Sequence, residues 1–496
     1  MSKQGVSAVA AAAPGSGGSR IQGDPQTDLA RWKPTAADPW DRRKAAHLMR
    51  RAGFGAKPEE VDAMLALGVD RVLDLLLTSS SSTLPDSGAI VLPHGELCDI
   101  GFSLNGQRAQ WLYEMAHTIH PLKEKMVLFW SDHFSVGAES GNQTPLLPAH
   151  INLFRRHGLG SFRQMLVEVT KDPAMMEWLD QRLNGRLVGG VPQVNENYGR
   201  ELLELYTMGV TAGYIQQDVL ETSRVLTGMS MSGLNRYTYI PSWHIAGNKT
   251  VLGRVVPGST AEQEFLYLLD NVILPYPATA EYIVTKLWKY FVADNPYPAL
   301  VAELANRLRN SGFNLRVVMD TILRSNFFFS DQAIGKLVKN PVEFTIGAIR
   351  QTSTPLMSWN TLGTRVQDMG YPLLRYSNPS GLDDGIAWIS TASMVARGNF
   401  ANELTQVSTT AGVRPVFDYM REVTRMGLVT AQQVVDHYLK ILVDDSVPQG
   451  VRTALYEFMN KRDVGTFTFT NSPANCNIKV RGLVHLILSL PEYQMN

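Results

Sequence analysis

The stretch Asn195-Glu196-Asn197-Tyr198-Gly199-Arg200-Glu201-Leu202-Leu203-Glu204-Leu205 is the densest in groups that could do chemistry. Wound as a helix, it places Leu202, Leu205 and Tyr206 on one face and Asn197, Glu201 and Glu204 on another, while Glu196, Arg200 and Glu204 follow one another at four-residue steps. Such a face could bind a divalent cation or orient a polar ligand, because carboxylates supply hard oxygen ligands and can act as general acid or base. The same spacing also describes a salt-bridge ladder with Arg200 between two glutamates. The ligand-binding candidates are Asn195, Glu196, Asn197, Arg200, Glu201 and Glu204. Asp218, Glu221 and Arg224 repeat the acidic and basic pattern one helix later, so the two faces could meet in a polar network that fixes a structure as readily as it catalyses.

Histidines add a second set. His133 follows Asp132 on an otherwise apolar helix, which invites proton transfer or metal binding, although neighbours on a helix point about 100° apart. With Glu196 and Glu201 it completes the catalytic candidates. His117 and His120 have a spacing one metal could accept, but Pro121 begins a new element and no third ligand is near in sequence. His244 and Lys249 sit at a predicted turn, and His244 joins the ligand-binding candidates. Phosphate-loop, dinucleotide, zincin and serine-hydrolase signatures are missing; Gly228-Met229-Ser230-Met231-Ser232 ends in the wrong residue for a nucleophile elbow.

The elements that would position these groups read as helices. A chain of 496 residues is past the size at which one core usually stops growing. The fold class is therefore mainly α: a large irregular multi-helix bundle, in one body or two lobes, with a small β-hairpin insertion. Asp38-Pro39 predicts a helix N-terminus, Pro58 to Gly68 and Val72 to Leu77 two further helices, and the serine run 79–82 a loop. Pro121 opens a buried helix carrying Met126, Phe129, Trp130, His133 and Phe134. Helices follow at 161–170, 173–183, 197–208 and 216–227, with Gly209 and Gly228 as left-handed caps. Tyr237, Tyr239 and Ile240 before Ala246-Gly247-Asn248-Lys249, and Val251, Leu252, Val255 and Val256 after it, read as one hairpin near 233–260. Helices resume at 261–273, 278–293, 297–310, 315–325, 341–351 and 385–404, and four more reach Leu490. Gly370 to Gly385 is a long interior loop of the kind that carries function.

Composition narrows the partners. Lysine plus arginine equals aspartate plus glutamate at 46 each, so no global field favours nucleic acid. Cys98 and Cys476 form neither a disulfide framework nor a thiolate metal site by spacing. No apolar run approaches the roughly 20 residues that span a bilayer. The chain reads as soluble, and residues 1–37, rich in small and polar side chains without a convincing signal peptide, as a disordered tail ahead of one helical domain over 38–496. Localisation stays open between cytoplasm and export.

Several stretches together resemble the bacterial family catalogued as domain of unknown function eighteen hundred. They are His47 to Gly55, Glu124 to Trp130 with Asp132-His133-Phe134, Asp172 to Met175 with Trp178-Leu179-Asp180, Asn195 to Leu205, and Asp218-Val219 with Leu226-Thr227-Gly228. Pro277 to Ala280 with Lys286-Leu287-Trp288, Lys339 to Glu343, and Arg397 to Ala401 continue the series in the same order. The chain departs from the family pattern at Ser131, at Met229 and at Trp243-His244-Ile245. The resemblance implies a large helical protein, often exported and often encoded beside a protein of the sulfatase and alkaline-phosphatase type, which would be its partner. Three readings follow: a helical binding or accessory protein; a hydrolase using carboxylates and a histidine, with or without a divalent cation; and a structural subunit, for which self-association into a homo-oligomer is the expectation.

Overall fold

A computed structural model describes residues 23–78, 82–138, 143–233, 235–356, 358–406, 419–461 and 468–496. The fold is mainly α, an irregular multi-helix bundle with short antiparallel hairpins at its surface. Helices start where the sequence supplies caps. Ser103, Ser161, Asp172, Asn314 and Asn340 each accept a hydrogen bond from a first-turn backbone N–H, satisfying donors that would otherwise be orphaned. Pro121–His133 runs through the interior with Leu122, Met126, Val127, Leu128 and Trp130 fully buried. Because it is enclosed on every side it also takes charge inside: Glu124 accepts two bonds of 2.9 Å from Arg155 and one of 2.9 Å from Trp111. Buried apolar side chains from Leu29 to Tyr493 form one contiguous cluster among the described residues. No helix among them is long and apolar enough to cross a membrane.

Several expectations need correction. Packed structure begins before Asp38: Asp24 caps the helix Pro25–Asp28, Leu29 and Trp32 are buried, and the Trp32 N–H reaches the Arg324 carbonyl at 2.8 Å. Two large apolar side chains suffice to dock a segment whose composition otherwise reads as tail; residues 1–22 lie outside the described residues, as do 79–81 of the serine run. The first long helix is Arg42–Arg51, capped by Asp41, while Asp38 accepts from the Trp32 indole at 2.6 Å and pairs with Lys44. The expected single hairpin is two. Met229–Ser232 pairs with Arg236–Tyr239 around Gly233, and Lys249–Val251 pairs with Arg254–Val256 around Leu252-Gly253. Leu252 and Gly253 both have positive φ, 50° and 71°, the geometry of a tight two-residue turn, so Ala246 to Asn248 join the hairpins instead of closing one. Leu104–His117, Leu147–His157 and Trp359–Asp368 are helices that periodicity did not reveal.

Candidate functional site

The sequence-derived candidates do not come together as one site. Glu196 stands at the N-cap of the helix Asn197–Glu204 and accepts from Arg200 at 3.1 Å and from Gln216 at 2.6 Å, both in partly exposed positions. Asn195 caps the Asn197 N–H, and Asn197 is exposed. Burial and then Glu204 raise the Tyr214 hydroxyl, which places that carboxylate beside it. Glu201 is the perturbed member of the group: burial and then the Glu204 charge push its carboxyl up to about 7, against Arg200. Because Glu196 and Arg200 are a half-exposed pair, Glu196→Ala is expected to change the unfolding free energy by only about 0.3–0.5 kcal/mol, read from urea midpoints.

His133 is enclosed by Phe129, Trp130, Phe134, Tyr206 and Tyr282. Its Nε2 donates to the Tyr206 carbonyl at 3.1 Å, and its Nδ1 is buried without a partner. Burial and then Lys286 hold its pKa well below the usual range, so the ring is neutral. His244 lies apart from both, where Glu264 joins the two hairpins: it meets Glu264 at 3.2 Å while Lys249 donates to the same carboxylate at 2.8 and 2.6 Å, and all three side chains are buried. Asp218 accepts from the Ile215 and Leu252 N–H groups, which ties its helix to the second hairpin. Among the described residues no group of three or more His, Cys, Asp or Glu side chains is placed to hold a metal ion.

The structure instead gathers unpaired charge in a cavity of about 340 Å³ that no single stretch of sequence contains. Its walls are the end of the helix Pro277–Phe291 with the following loop, through Lys289, Tyr290, Asp294 and Asn295. The start of Pro341–Gln351 adds Asn340 and Glu343, and the turn Gly385–Trp388 adds Asp384, Ile386 and Trp388. Among the described residues Lys289, Asp294 and the Asp384 carboxylate make no side-chain hydrogen bond or ion pair. The Tyr290 hydroxyl is buried without a partner. Glu343 is held by contrast: it pairs with buried Lys125, caps Asn340 at 3.0 Å and accepts from Asn496 at 2.7 Å.

Behind Asp384 the interior loop seats on the central helix. The Leu382 N–H donates to Asp132 at 2.9 Å, and Gly381, at φ 79°, approaches so closely that a Cβ would stand 2.6 Å from the Asp132 carbonyl oxygen. Burial, then the Asp384 charge, push the Asp132 carboxyl up to about 7, while the Leu382 N–H and Lys286 oppose the shift. Burial lowers the Lys286 ammonium, opposed by Asp132 and Asp384. Loss of solvation raises the Asp384 carboxyl as well, helped by Glu343 and Asp294 and opposed by Lys286. Two carboxyls and an amine whose proton affinities are moved toward one another, beside a cavity, form an arrangement suited to binding polar groups and holding a proton. Sequence reasoning marked the loop Gly370 to Gly385 but named none of these residues as a site. The available signal was the set of resemblance motifs, since Lys125, Asp132, Lys286 and Glu343 come from three of them.

No curated protein and no solved structure matches the chain. The profile of one family, described as "Protein of unknown function (DUF1800)", matches residues 47–495, almost the whole chain and every element that builds the cavity, and the protein belongs to that family.

Proposed function

We propose that this is a small-ligand-binding protein whose site is the cavity around Asp384, and that the ligand is polar and rich in hydrogen-bond donors, hydroxylated or cationic. The observation that carries the reading is the placement of two solvent-exposed carboxylates, Asp294 and Asp384, in one concave site that also offers Asn295, Asn340 and the apolar surface of Trp388. Two unpaired carboxylates against one unpaired ammonium favour a ligand that donates hydrogen bonds, and carboxamides beside an indole suit hydroxyl groups on a compact carbon frame. In this reading the sulfatase-like partner implied by the family resemblance is a second component, not the ligand.

Asp132 favours a second reading. Asp132 lies behind the cavity wall rather than in it, so its carboxyl, pushed up to about 7, would act through Asp384, which does line the cavity; that pair supports a hydrolase-type role in which Asp384 meets the ligand.

Thermal melts of the natural chain, Asp294→Asn and Asp384→Asn against polyols, monosaccharides and small amines test the first reading. At least one class is expected to raise the melting temperature. Its affinity should fall about tenfold or more in Asp384→Asn, the effect of losing one hydrogen bond to a charged acceptor. Melts unmoved by every class, or binding untouched by both substitutions, would remove the cavity from consideration.

A further inference from the structure

A second cavity, of about 180 Å³, opens between the helix Arg42–Arg51, the segment 334–339 and the chain that follows the helix Ala431–Leu442. We infer that it is a site for a phosphoryl group that still carries a proton, held by Arg50 and Lys339 with Arg43 at the mouth and with Glu492 accepting the phosphoryl O–H.

The argument begins with charge. Arg50, Arg51, Lys125, Lys339 and Arg397 are all at least nine-tenths buried, and the buried carboxylates that face them are Glu343 and Asp444. Most of these cations are held by neutral oxygens. Arg51 donates to the Ala333 carbonyl at 2.8 Å, Lys339 to the Tyr493 carbonyl at 2.6 Å, and Arg397 to the Lys339 carbonyl at 2.7 Å and the Gln494 carboxamide at 2.9 Å. Carbonyl dipoles solvate a cation without cancelling its charge, so this centre keeps an excess of positive potential in a medium of low dielectric constant. In the first cavity Asp384, Asp294 and Glu343 face Lys289 alone, whereas the second sets Arg43, Arg50 and Lys339 against Asp444 and Glu492, which leaves it the more positive of the two.

The donors are only partly used. Arg50 gives Nη1 to Asp444 at 2.6 Å, and its Nε is buried without a partner. Asp444 reaches Arg50 from a left-handed backbone, φ 51°, and fixes the guanidinium against the wall. Arg43, more exposed, pairs with Asp331 at 2.8 Å outside the cavity. Burial and then Arg50 hold the Lys339 ammonium well below its usual range, despite Asp444 and Glu343, so an arriving anion would favour its charged form.

Glu492 selects among oxyanions. It lines the same cavity, and its Oε2 is buried without a hydrogen-bond partner. A fully ionised group such as sulfate would be repelled by this carboxylate, whereas phosphate and phosphate monoesters, with a second pKa near 6 to 7, retain an O–H over much of the neutral range and can donate it to Glu492. Arginine and lysine supply attraction, and the glutamate supplies discrimination.

Calorimetric titration of the full chain at pH 6.5 and constant ionic strength, with inorganic phosphate, glycerol phosphate and sulfate in turn, tests the assignment. Phosphate or its ester is expected to bind at least tenfold more tightly than sulfate. Binding by the ester alone would identify the group as part of a larger molecule, and binding by both would identify free phosphate as sufficient. Lys339→Met should abolish binding, with circular dichroism checking its fold, and Arg43→Gln, at an exposed position, should weaken it severalfold. Glu492→Gln is the decisive variant, because its carboxamide can donate to sulfate and sulfate affinity should rise toward that of phosphate, a gain that misfolding cannot produce. Binding by neither phosphate nor ester, equal affinity for sulfate in the natural chain, or an unchanged ratio in Glu492→Gln would overturn the inference.

Discussion

Asp132→Asn is expected to make the protein more stable above pH 7 and to leave it nearly unchanged near pH 4. The carboxyl moves from an ordinary value near 3.8 to about 7 on folding, because burial and the Asp384 charge penalise its ionised form. A group whose folded pKa is raised contributes stability that is fully present below the unfolded value and is lost as pH rises through the folded one. For Asp132 the loss falls between about pH 4 and pH 7, and its full size is about 4 kcal/mol, an upper figure because Lys286 and protein relaxation share the shift. Asparagine keeps an oxygen for the Leu382 N–H and never ionises, so it escapes the loss. Urea unfolding at pH 4.5 and pH 8 should show the variant gaining about 2–4 kcal/mol over the natural chain between the two conditions. A gap independent of pH would mean that Asp132 stays ionised throughout, and the acid–base reading would lose its support. A confirmed gain would show that the fold tolerates a destabilising carboxylate at this position, as expected where a site is kept for chemistry rather than for stability.

The bundle was legible in the sequence where elements announce their ends. Pro121 and Asp172-Pro173 mark helix starts through caps and fixed φ angles that depend on neighbouring residues alone, and Gly209 and Gly228 mark left-handed exits at φ 82° and 81°. Helices without a polar face were not legible. Leu104–His117 buries Gln107, Arg108 and Gln110 together with Trp111, Leu112 and Met115, so the apolar stripe that periodicity looks for does not exist there. The hairpins were misjoined because Leu252 holds a positive φ that an aliphatic residue rarely adopts, so Ala246-Gly247-Asn248 looked the better turn. The site was the least legible part. Lys289, Asn340 and Asp384 sit in segments that folding alone brings together, and no spacing rule relates them. Glu201, in contrast, stood in the most polar run of the sequence and is a perturbed carboxyl, but it lies outside the walls of the cavity.

Glu343→Ala is expected to be the most damaging single substitution at the cavity, costing about 3–5 kcal/mol, because it leaves the fully enclosed Lys125 ammonium without its carboxylate. Lys125 then retains the Arg50 carbonyl, at 3.3 Å, and the ring faces of Phe54 and Tyr290, while Arg51 loses the anion that most offsets its charge and Lys339 keeps Asp444 but loses Glu343. The Asn340 N–H loses its cap and Asn496 its acceptor, so the damage reaches the walls of both cavities. Glu343→Gln separates the charge from the hydrogen bonds: its carboxamide oxygen can still accept from the Asn340 N–H and from Asn496, so the difference between the two variants reports those bonds together, about 1 kcal/mol each. The double substitution Lys125→Met with Glu343→Leu removes both charges of the pair, so Lys125 no longer stands as a buried ion without its carboxylate, while Arg51 still loses Glu343. The stability of the double variant should recover toward that of the natural chain, giving a coupling energy of several kcal/mol in a double-mutant cycle measured by urea unfolding. Additive costs would mean that the pair acts independently and that Arg51 and Lys339, rather than Lys125, depend on Glu343. Recovery of stability without recovery of ligand binding would show that the ion pair is retained for the chemistry of the cavities and not for holding the bundle together.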